Sequence, residues 1–324
     1  MNRASRASVF VIALAAAVSA TASAQEKAAT ASTRAQVVVL GTGNPSADPE
    51  RWGPAVAVVV NGRSYLVDCG PGVVRRAAAA EKNGFAALKA KELKMVFITH
   101  LHSDHTLGYP DLIFSPWVLG REEPLEAYGP RGLKRMTEHI ERAWAEDVRV
   151  RRQGLEQANA TGYKVNVHEI NLRGRGAPGT AGESPALHVV YRDENVTVTA
   201  FPVKHGIWKE AYGYKFETKD RKIVISGDTA PTDEVVKACD GCDVLLHEVY
   251  NPHGDELKEE HWKKYFQTFH TSPAELGEIA RRARPKLLVL YHQVLEKLPE
   301  ADLVEQVKRE YAGNFVSAKD LGVY

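Results

Sequence analysis

Short apolar runs separated by polar turns recur along this chain of 324 residues and predict interleaved strands and helices. Residues 55–60 and 64–67 flank Asn61-Gly62, a dipeptide typical of a two-residue β-hairpin turn. Further strands are predicted at residues 36–40, 95–99, 124–128, 189–191, 196–200, 212–217, 223–226, 244–248, 287–290 and 315–316. Helices are predicted at residues 73–81, 132–146, 232–238, 273–283 and 301–311, and one more ends at residue 117. This pattern is typical of an α/β fold, with the Gly- and Pro-rich residues 173–185 as a surface loop.

Two helical stretches carry expectations about packing. In the helix predicted at 132–146, the apolar residues fall on one face, which predicts that they pack in the core: Leu133, Met136, Ile140 and Trp144. Residues 251–269 contain several aromatic and histidine side chains. They predict either the wall of a pocket that stacks on an aromatic leaving group or a helix whose apolar face joins the core.

The strand predicted at 95–99 leads into the densest cluster of reactive side chains. His100, His102, Asp104 and His105 follow it within six residues. If the chain stays extended through residue 101, His100 and His102 point to the same side, while Asp104 and His105 fall in the turn beyond. Two imidazoles on one centre, with a carboxylate and an imidazole on a second, predict a two-metal hydrolytic site. A solvated polar loop is the alternative.

Other predicted strands also end in an acid or a histidine. These residues are His205, Asp228, His247 and His292. Ligands at strand ends stand on a rigid frame and can converge on one edge of a sheet. Asp68 ends a further strand, where a buried acid needs a partner. It could orient a metal-binding imidazole or cap the following helix, and the residues leave both open.

The N-terminal segment has the composition of a targeting signal. Arg3 and Arg6 precede an apolar stretch at 9–18, and small residues at 22–24 suit a signal peptidase. We therefore expect residues 1–24 to be a cleaved signal peptide, 25–35 a disordered segment and 36–324 one domain in the periplasm or outside the cell. An uncleaved anchor is the alternative. In an exported chain, Cys239 and Cys242 could form a tight disulfide, and Cys69 is expected to be buried.

The charge balance gives no general attraction to nucleic acid. The net charge of +1 includes Arg3 and Arg6, so their removal with the signal peptide would leave −1. The chain is 44% hydrophobic and 26% charged, as expected of an ordinary globular protein.

The complete motif resembles the metallo-β-lactamase superfamily of hydrolases. The match consists of His100-x-His102-x-Asp104-His105 followed by His205, Asp228 and His292. The resemblance implies a four-layer αββα sandwich, in which two mixed β-sheets are flanked by helices. Five further segments resemble the ribonuclease Z-like branch, which also holds phosphodiesterases and exported arylsulfatases: Phe201-Pro202-Val203-Lys204-His205, Gly213-Tyr214, Ser226-Gly227-Asp228-Thr229, His247-Glu248 and His270-Thr271.

The resemblance also implies residue roles. One zinc ion would be held by His100, His102, His205 and Asp228, and the other by Asp104, His105, Asp228 and His292, so that Asp228 bridges them. Manganese or iron could replace zinc. The implied catalytic residues are Asp104, which takes a proton from water, His270, which contacts the scissile group, and Glu248. Asp68 and His247 would support these groups from behind.

These inferences combine into one expected function. We expect an exported two-zinc hydrolase that cleaves phosphodiester or sulfate ester bonds of small molecules through a metal-activated water. Ribonuclease Z enzymes carry a Gly/Pro-rich arm that grips transfer RNA, and the interval from His205 to Asp228 has no room for it. For that reason, and because of export and charge, we do not expect nucleic acid as a partner. β-Lactam or lactone hydrolysis and an inactive metal-binding protein are the alternatives, and a homodimer is left open.

Overall fold

The predicted hairpin begins a six-stranded sheet in the computed structural model, which describes residues 34–172, 187–253 and 258–324. The strands are β1 (Gln36–Gly41), β2 (Ala55–Val60), β3 (Arg63–Val67), β4 (Met95–Phe97), β5 (Leu125–Gly129) and β6 (Val165–Glu169). They lie in sequence order, antiparallel from β1 to β3 and parallel from β3 to β6. Asn61 and Gly62, at the tip of the hairpin, both have positive φ, as its tight turn requires.

The second sheet has seven strands. They are β7 (His188–Arg192), β8 (Val196–Pro202), β9 (Tyr212–Thr218), β10 (Lys222–Ile225), β11 (Val244–Tyr250), β12 (Leu288–Val294) and β13 (Phe315–Ser317). They too lie in sequence order, antiparallel from β7 to β10 and parallel from β10 to β13. Both sheets are therefore mixed.

Helices follow several of the parallel strands. They are α1 (Val73–Lys82), α2 (Ser103–Thr106), α3 (Tyr109–Val118), α4 (Leu133–Ala143), α5 (Ala145–Gln153), α6 (Asp233–Cys239), α7 (Glu260–Phe269), α8 (Pro273–Ala283) and α9 (Glu300–Glu310). Two single-turn 3₁₀ helices lie at Ala86–Leu88 and Ala90–Glu92. Ser272 and Glu275 form a capping box at the start of α8, with Pro273 in its first turn.

Three apolar clusters lie between the four layers and pack them together. One lies between the sheets and contains residues of both, such as Val58 and Phe97 from the first and Tyr214 and Leu246 from the second. Another joins the outer face of the first sheet to α1 and α3, and the last joins the outer face of the second sheet to α6, α8 and α9. The four-layer αββα sandwich expected from the sequence is confirmed.

Some predicted elements differ from the structure. The helix expected at 132–146 breaks at Trp144, which separates α4 from α5; its side chain is 41% exposed and stacks on Phe114 instead of entering the core. Strand β6 was not predicted, because its residues alternate between half-buried and exposed and lack an apolar run. The strand expected at 95–99 ends at Phe97, so the metal motif begins in irregular chain.

The remaining expectations concern the cysteines and segments outside the described residues. Cys239 and Cys242 form a disulfide, and Cys69 is a buried free thiol. The predicted signal peptide at 1–24, nearly all of the segment at 25–35 and the loop at 173–185 lie outside the described residues. The described residues from Ala35 onward form one compact unit. Within the described ranges, no helix is both long and apolar enough to cross a membrane.

Arg121 is buried beside a helix that contains a proline. Within α3, Pro116 has no N–H for the carbonyl of Leu112, four residues earlier. The Arg121 guanidinium donates to that carbonyl at 2.9 Å, and also to main-chain carbonyls of Leu93, Ile113 and Gly162. It therefore satisfies the acceptor that the proline leaves and ties α3 to two neighbouring loops.

Candidate metal centre

The chain after β4 is attached to both sheets. Ile98 donates its N–H to the carbonyl of Tyr128 in the first sheet at 2.7 Å, and its own carbonyl accepts from the Tyr214 hydroxyl in the second, also at 2.7 Å. The carbonyl of Thr99 accepts from the N–H of Tyr212 at 3.0 Å. These bonds fix the starting point of the histidine motif although regular strand pairing has ended.

Asp68 holds the motif from below. This buried residue follows β3 with φ 59°, a left-handed conformation that needs support from its surroundings. Its carboxylate accepts from the N–H of Thr99 at 2.8 Å, from the Thr99 hydroxyl and from Nδ1 of His105 at 2.8 Å. Helix α1 has Gly72 as its N-cap, without a side-chain cap. Of the two roles left open by the sequence, the geometry favours the one in which Asp68 orients the imidazole of His105.

Three histidines and one aspartate form the first candidate ligand group. His100, His102, His205 and Asp228 each offer an atom, and these atoms all lie within 4.8 Å of one another. Nδ1 of His102 lies 2.9 Å from Nε2 of His100 and 3.1 Å from Nε2 of His205. His205 donates from Nδ1 to the carbonyl of Phe269, which turns its Nε2 toward the group.

The second group contains Asp104, His105 and His292. Oδ2 of Asp104 lies 3.2 Å from Nε2 of His292 and 3.4 Å from Nε2 of His105. Asp104 and His105 lie in the one-turn helix α2. His292 lies inside β12 rather than at its end, and its φ of 46° accompanies an irregularity in the pairing of β11 with β12.

Asp228 lies between the two groups. Its Oδ2 is 3.4 Å from Nε2 of His105, 3.5 Å from Nε2 of His292 and 4.0 Å from Nε2 of His205. The preceding Gly227 has φ 62°, and a Cβ there would lie 2.8 Å from the carbonyl oxygen of Tyr212. Only glycine therefore lets the chain turn so closely past β9 and bring Asp228 inward.

The donor set fits divalent metal ions. Among the described residues, the buried atoms without a hydrogen-bond partner include Nε2 of His105 and Oδ1 of Asp228, although such atoms are normally satisfied. Burial, followed by repulsion from His105, holds the pKa of His100 well below its usual value, so its ring is neutral and keeps a lone pair. Burial raises the pKa of Asp228, but His292 and His105 outweigh it and keep the group ionised. Imidazole and carboxylate without thiolate suit a catalytic site.

Two of the expected catalytic residues, His270 and Glu248, are hydrogen-bonded to each other. His270 is 5% exposed, and its Nδ1 donates to Oε1 of Glu248 at 3.2 Å. Burial and then the charge of Asp228 raise the pKa of Glu248 well above its usual value, so it is a neutral acid. Burial lowers the pKa of His270 to about 4, so the free ring is neutral near pH 7 rather than protonated. His247 lies inside β11, with Nδ1 on the carbonyl of Glu248.

A tryptophan that the sequence analysis missed contacts the first group. Trp208 donates from Nε1 to Nε2 of His102 at 2.7 Å. It also lines a cavity of about 820 Å³ with Tyr265 and Phe269, next to the ligands. The signal available in the sequence was the apolar pair Ile207-Trp208, two and three residues after His205.

Different residues of the aromatic segment at 251–269 match each of the two interpretations left open by the sequence, a pocket wall and a core-facing helix. Tyr265 and Phe269 face the cavity, as a pocket wall requires. Phe266 is buried and stacks on Tyr250, as a core face requires. Trp262 is 48% exposed and is not part of the cavity wall.

Comparison with known proteins gives the same family by sequence and by structure. Residues 63–293 match the model of the β-lactamase superfamily domain. The ribonuclease Z of Mycobacterium bovis (strain BCG / Pasteur 1173P2) is 31% identical over 262 residues, covering 80% of this chain and 86% of that protein. The crystal structure of the short form of human tRNase Z superposes with a TM-score of 0.65 at 26% identity, over 89% of this chain and 98% of that one. A diphosphatase of the PhnP family, at 20% identity and a TM-score of 0.59, shares the fold.

These matches contradict the expectation that nucleic acid is not a partner. The similar proteins are named for ribonuclease and tRNase activity, and they match over most of their length. The expectation relied on net charge, on the expected export and on the short interval between His205 and Asp228. Net charge is a sum over the whole surface and does not describe the field at one site. The absence of one arm likewise leaves the site that cleaves the bond unchanged.

Proposed function

Because the chain belongs to the β-lactamase superfamily, in its ribonuclease Z-like branch, we propose that this hydrolase cleaves phosphodiester bonds of RNA. The observation that supports the proposal most is the position of Asp228. Its Oδ2 lies 3.4 to 4.0 Å from imidazoles of both ligand groups, as a shared ligand of two ions requires. Two-metal sites of this kind suit in-line displacement at phosphorus.

The proposed ligands are His100, His102, His205 and Asp228 for one ion and Asp104, His105, Asp228 and His292 for the other. We propose zinc, which prefers imidazole and carboxylate. When bound, two such ions supply an activated water at neutral pH and stabilise charge on the phosphoryl group.

We assign to Asp104 the role of accepting a proton from the attacking water. It is 5% exposed and its Oδ2 accepts from Nε2 of His292. Burial by itself raises its pKa, but the charge of His105 and the hydrogen bond from His292 lower it, so the carboxylate is ionised near pH 7. An ionised carboxylate at this position can take the proton as the water attacks.

His270 and Glu248 act together on the other side of the scissile bond. Oε1 of Glu248 accepts from the N–H of Thr229 and from Nδ1 of His270, which orients the ring. An anionic phosphoryl group against Nε2 favours the protonated ring. In that state Nε2–H donates to a phosphoryl or leaving-group oxygen.

The metal content tests the first part of this proposal. The purified protein, dialysed without chelator, should contain about two zinc or similar ions per chain. Replacement of Asp228 by Asn, which removes the shared charge, should lower the content of both ions together. Loss of one ion only would show that Asp228 does not serve both groups.

A panel of substrates tests the second part. The metal-loaded protein should cleave an RNA with an unpaired 3′ extension and an aryl phosphodiester. It should cleave an aryl sulfate and a cephalosporin far more slowly. Turnover of the sulfate or the cephalosporin with no cleavage of RNA would refute the proposed substrate.

We also propose that residues 1–24 direct export. The segment itself is outside the described residues. The Cys239–Cys242 disulfide supports the proposal, because such bonds persist in oxidising compartments. Cell fractionation should find the protein outside the cytoplasm with an N-terminus near residue 25. A cytoplasmic protein that begins at Met1 would exclude export.

A further inference from the structure

The cavity beside the metal centre has walls from four separate parts of the chain. Pro130 and Arg131 follow β5, Ile207 and Trp208 lie between β8 and β9, and Tyr265 lies on α7. His102 is also part of the wall, so the cavity opens directly onto the first ligand group. A group bound there would be adjacent to any phosphoryl group held by the metal ligands.

The walls of the cavity are fixed by contacts behind them. Phe269 stacks on Tyr265 with ring centroids 4.4 Å apart and meets His205 edge-on at 5.0 Å. Gly206 has φ 55°, and a Cβ there would lie 1.9 Å from the Phe269 ring, so the glycine lets this ring pack closely. The aromatic wall is therefore built onto the same loop that carries the ligand His205.

The cavity is lined mostly by apolar groups. Its cationic lining residues, Arg131 and Lys209, are exposed at the rim. Arg131 is paired with Glu210, which accepts from its guanidinium and, at 2.9 Å, from its main-chain N–H. This pair joins the loop after β5 to the loop after β8 and offsets the Arg131 charge. The remaining walls are aromatic and aliphatic, which suits an uncharged planar ring.

From this geometry we infer that the cavity binds the nucleobase of a nucleotide next to the scissile phosphate, with Tyr265 and Trp208 as its stacking surfaces. The inference rests on the proposed function, in which the metal centre would hold the phosphate to which the base is linked. Stacking needs no particular pattern of base edges, so the cavity accepts any base in this position. It gives the enzyme a preference for an unpaired nucleotide, whose base is free to enter.

An abasic substitution in the RNA tests the inference through turnover. Each nucleotide flanking the scissile bond is replaced in turn by an abasic residue. With the metal-loaded protein, one of the two replacements should lower kcat/KM about tenfold. In Tyr265→Leu this penalty should disappear, because the stacking surface is already gone. An equal penalty in Tyr265→Leu and wild type would overturn the inference.

Trp262→Leu is the matched control. Trp262 lies on α7 three residues before Tyr265, is 48% exposed and does not line the cavity. This variant should keep the full abasic penalty. Loss of the penalty in Trp262→Leu as well would show that it reflects the stability of α7 and would overturn the role of the cavity.

Direct binding separates failure of this inference from failure of the proposed function. Stacking should quench the fluorescence of 2-aminopurine riboside, which carries no phosphate, on titration with the metal-loaded protein. Its Kd should rise about tenfold in Tyr265→Leu and stay unchanged in Trp262→Leu. RNA cleavage without Tyr265-dependent quenching would overturn the cavity assignment alone. Quenching without RNA cleavage would refute the proposed function and support the cavity.

Discussion

Trp208 donates a hydrogen bond to Nε2 of His102, and this contact sets the position of the proton on the His102 ring. A neutral imidazole carries one N–H, so Nδ1 has the proton when Nε2 accepts. That proton lies between Nε2 of His100 and Nε2 of His205, at 2.9 and 3.1 Å. A cation held by Nδ1 must displace it, and the hydrogen bond from Trp208 is then lost.

Metal loading should therefore change the environment of Trp208. Addition of zinc to the metal-free protein should alter tryptophan fluorescence, and Trp208→Phe should remove most of the change. The variant should also bind the first ion about three- to tenfold more tightly, because no hydrogen bond has to break. Trp262→Phe serves as the control and should leave both results unchanged. Weaker metal binding in Trp208→Phe would mean that the indole supports the ligand instead of competing with it.

Asp68→Asn should weaken metal binding about 10- to 100-fold, as expected for a group that orients a ligand. The amide can accept fewer of the three hydrogen bonds from Thr99 and His105, so the His105 ring loses its fixed orientation. Competition with a chelator measures the affinity. Asp193→Asn is a matched control, since Asp193 also accepts main-chain and side-chain hydrogen bonds but lies on β-strand connections away from the ligands. It should reduce stability and leave metal affinity near normal.

Replacement of His270 by Ala should lower kcat about 10²- to 10⁴-fold while the metal content stays near two ions. Glu248 offers a graded comparison. Glu248→Gln keeps a neutral acceptor for Nδ1 of His270 and should retain much of the activity, because burial already makes the native side chain a neutral acid. Glu248→Ala leaves the ring without an orienting partner and should approach the loss in His270→Ala. Loss of metal in any of the three would assign them to binding instead.

Acid should destabilise the metal-free protein in part through His247. Burial lowers its folded pKa to about 4, whereas the unfolded value is about 6.5. Between these values the unfolded chain binds more protons, so the free energy of unfolding rises with pH. The loss in free energy of unfolding that His247 causes reaches its full value of about 3 kcal/mol below pH 4 and is absent above pH 6.5. Urea unfolding at pH 7 and pH 4.5 should show that His247→Gln loses less stability on acidification than wild type. Equal losses would exclude His247 as the source.

Arg121→Met should lower the free energy of unfolding by about 3 kcal/mol or more, since it leaves several buried carbonyls without a donor. The carbonyl of Leu112 is the most affected, because Pro116 cannot donate to it. Thermal or urea unfolding measures the loss. Arg75→Met removes an exposed ion pair with Asp111 and should cost less than about 1 kcal/mol. Similar losses in the two variants would show that the buried guanidinium has no special role.

The ligand residues could be predicted because they form a sequence pattern. Strand ends in a sandwich meet at one edge, so His100, His205 and Asp228 were expected to converge from their positions after apolar runs. The left-handed conformation of His292 could not be predicted, because it depends on a local irregularity between β11 and β12. The four-layer arrangement of sheets and helices came from the resemblance rather than from periodicity.

The cavity and the contact of Trp208 with His102 were beyond reach of the sequence for a different reason. Their walls come from loops far apart in the chain, near residues 130, 208 and 265, and each loop alone looks like ordinary surface or core. The error about nucleic acid has a related cause. It used a property of the whole chain, its net charge, to judge one local site.

His102 is both a candidate ligand and part of the cavity wall, so the two proposed sites share a side chain. Once the hydrogen bond from Trp208 to His102 has broken, a nucleobase that stacks on Trp208 would favour the same protonation state of His102 as the cation does. Each partner then raises the affinity for the other, and by the same factor. Under the proposed function, the ions would be held most tightly while RNA is bound, so that in metal-poor surroundings the substrate would help to keep the metal centre assembled.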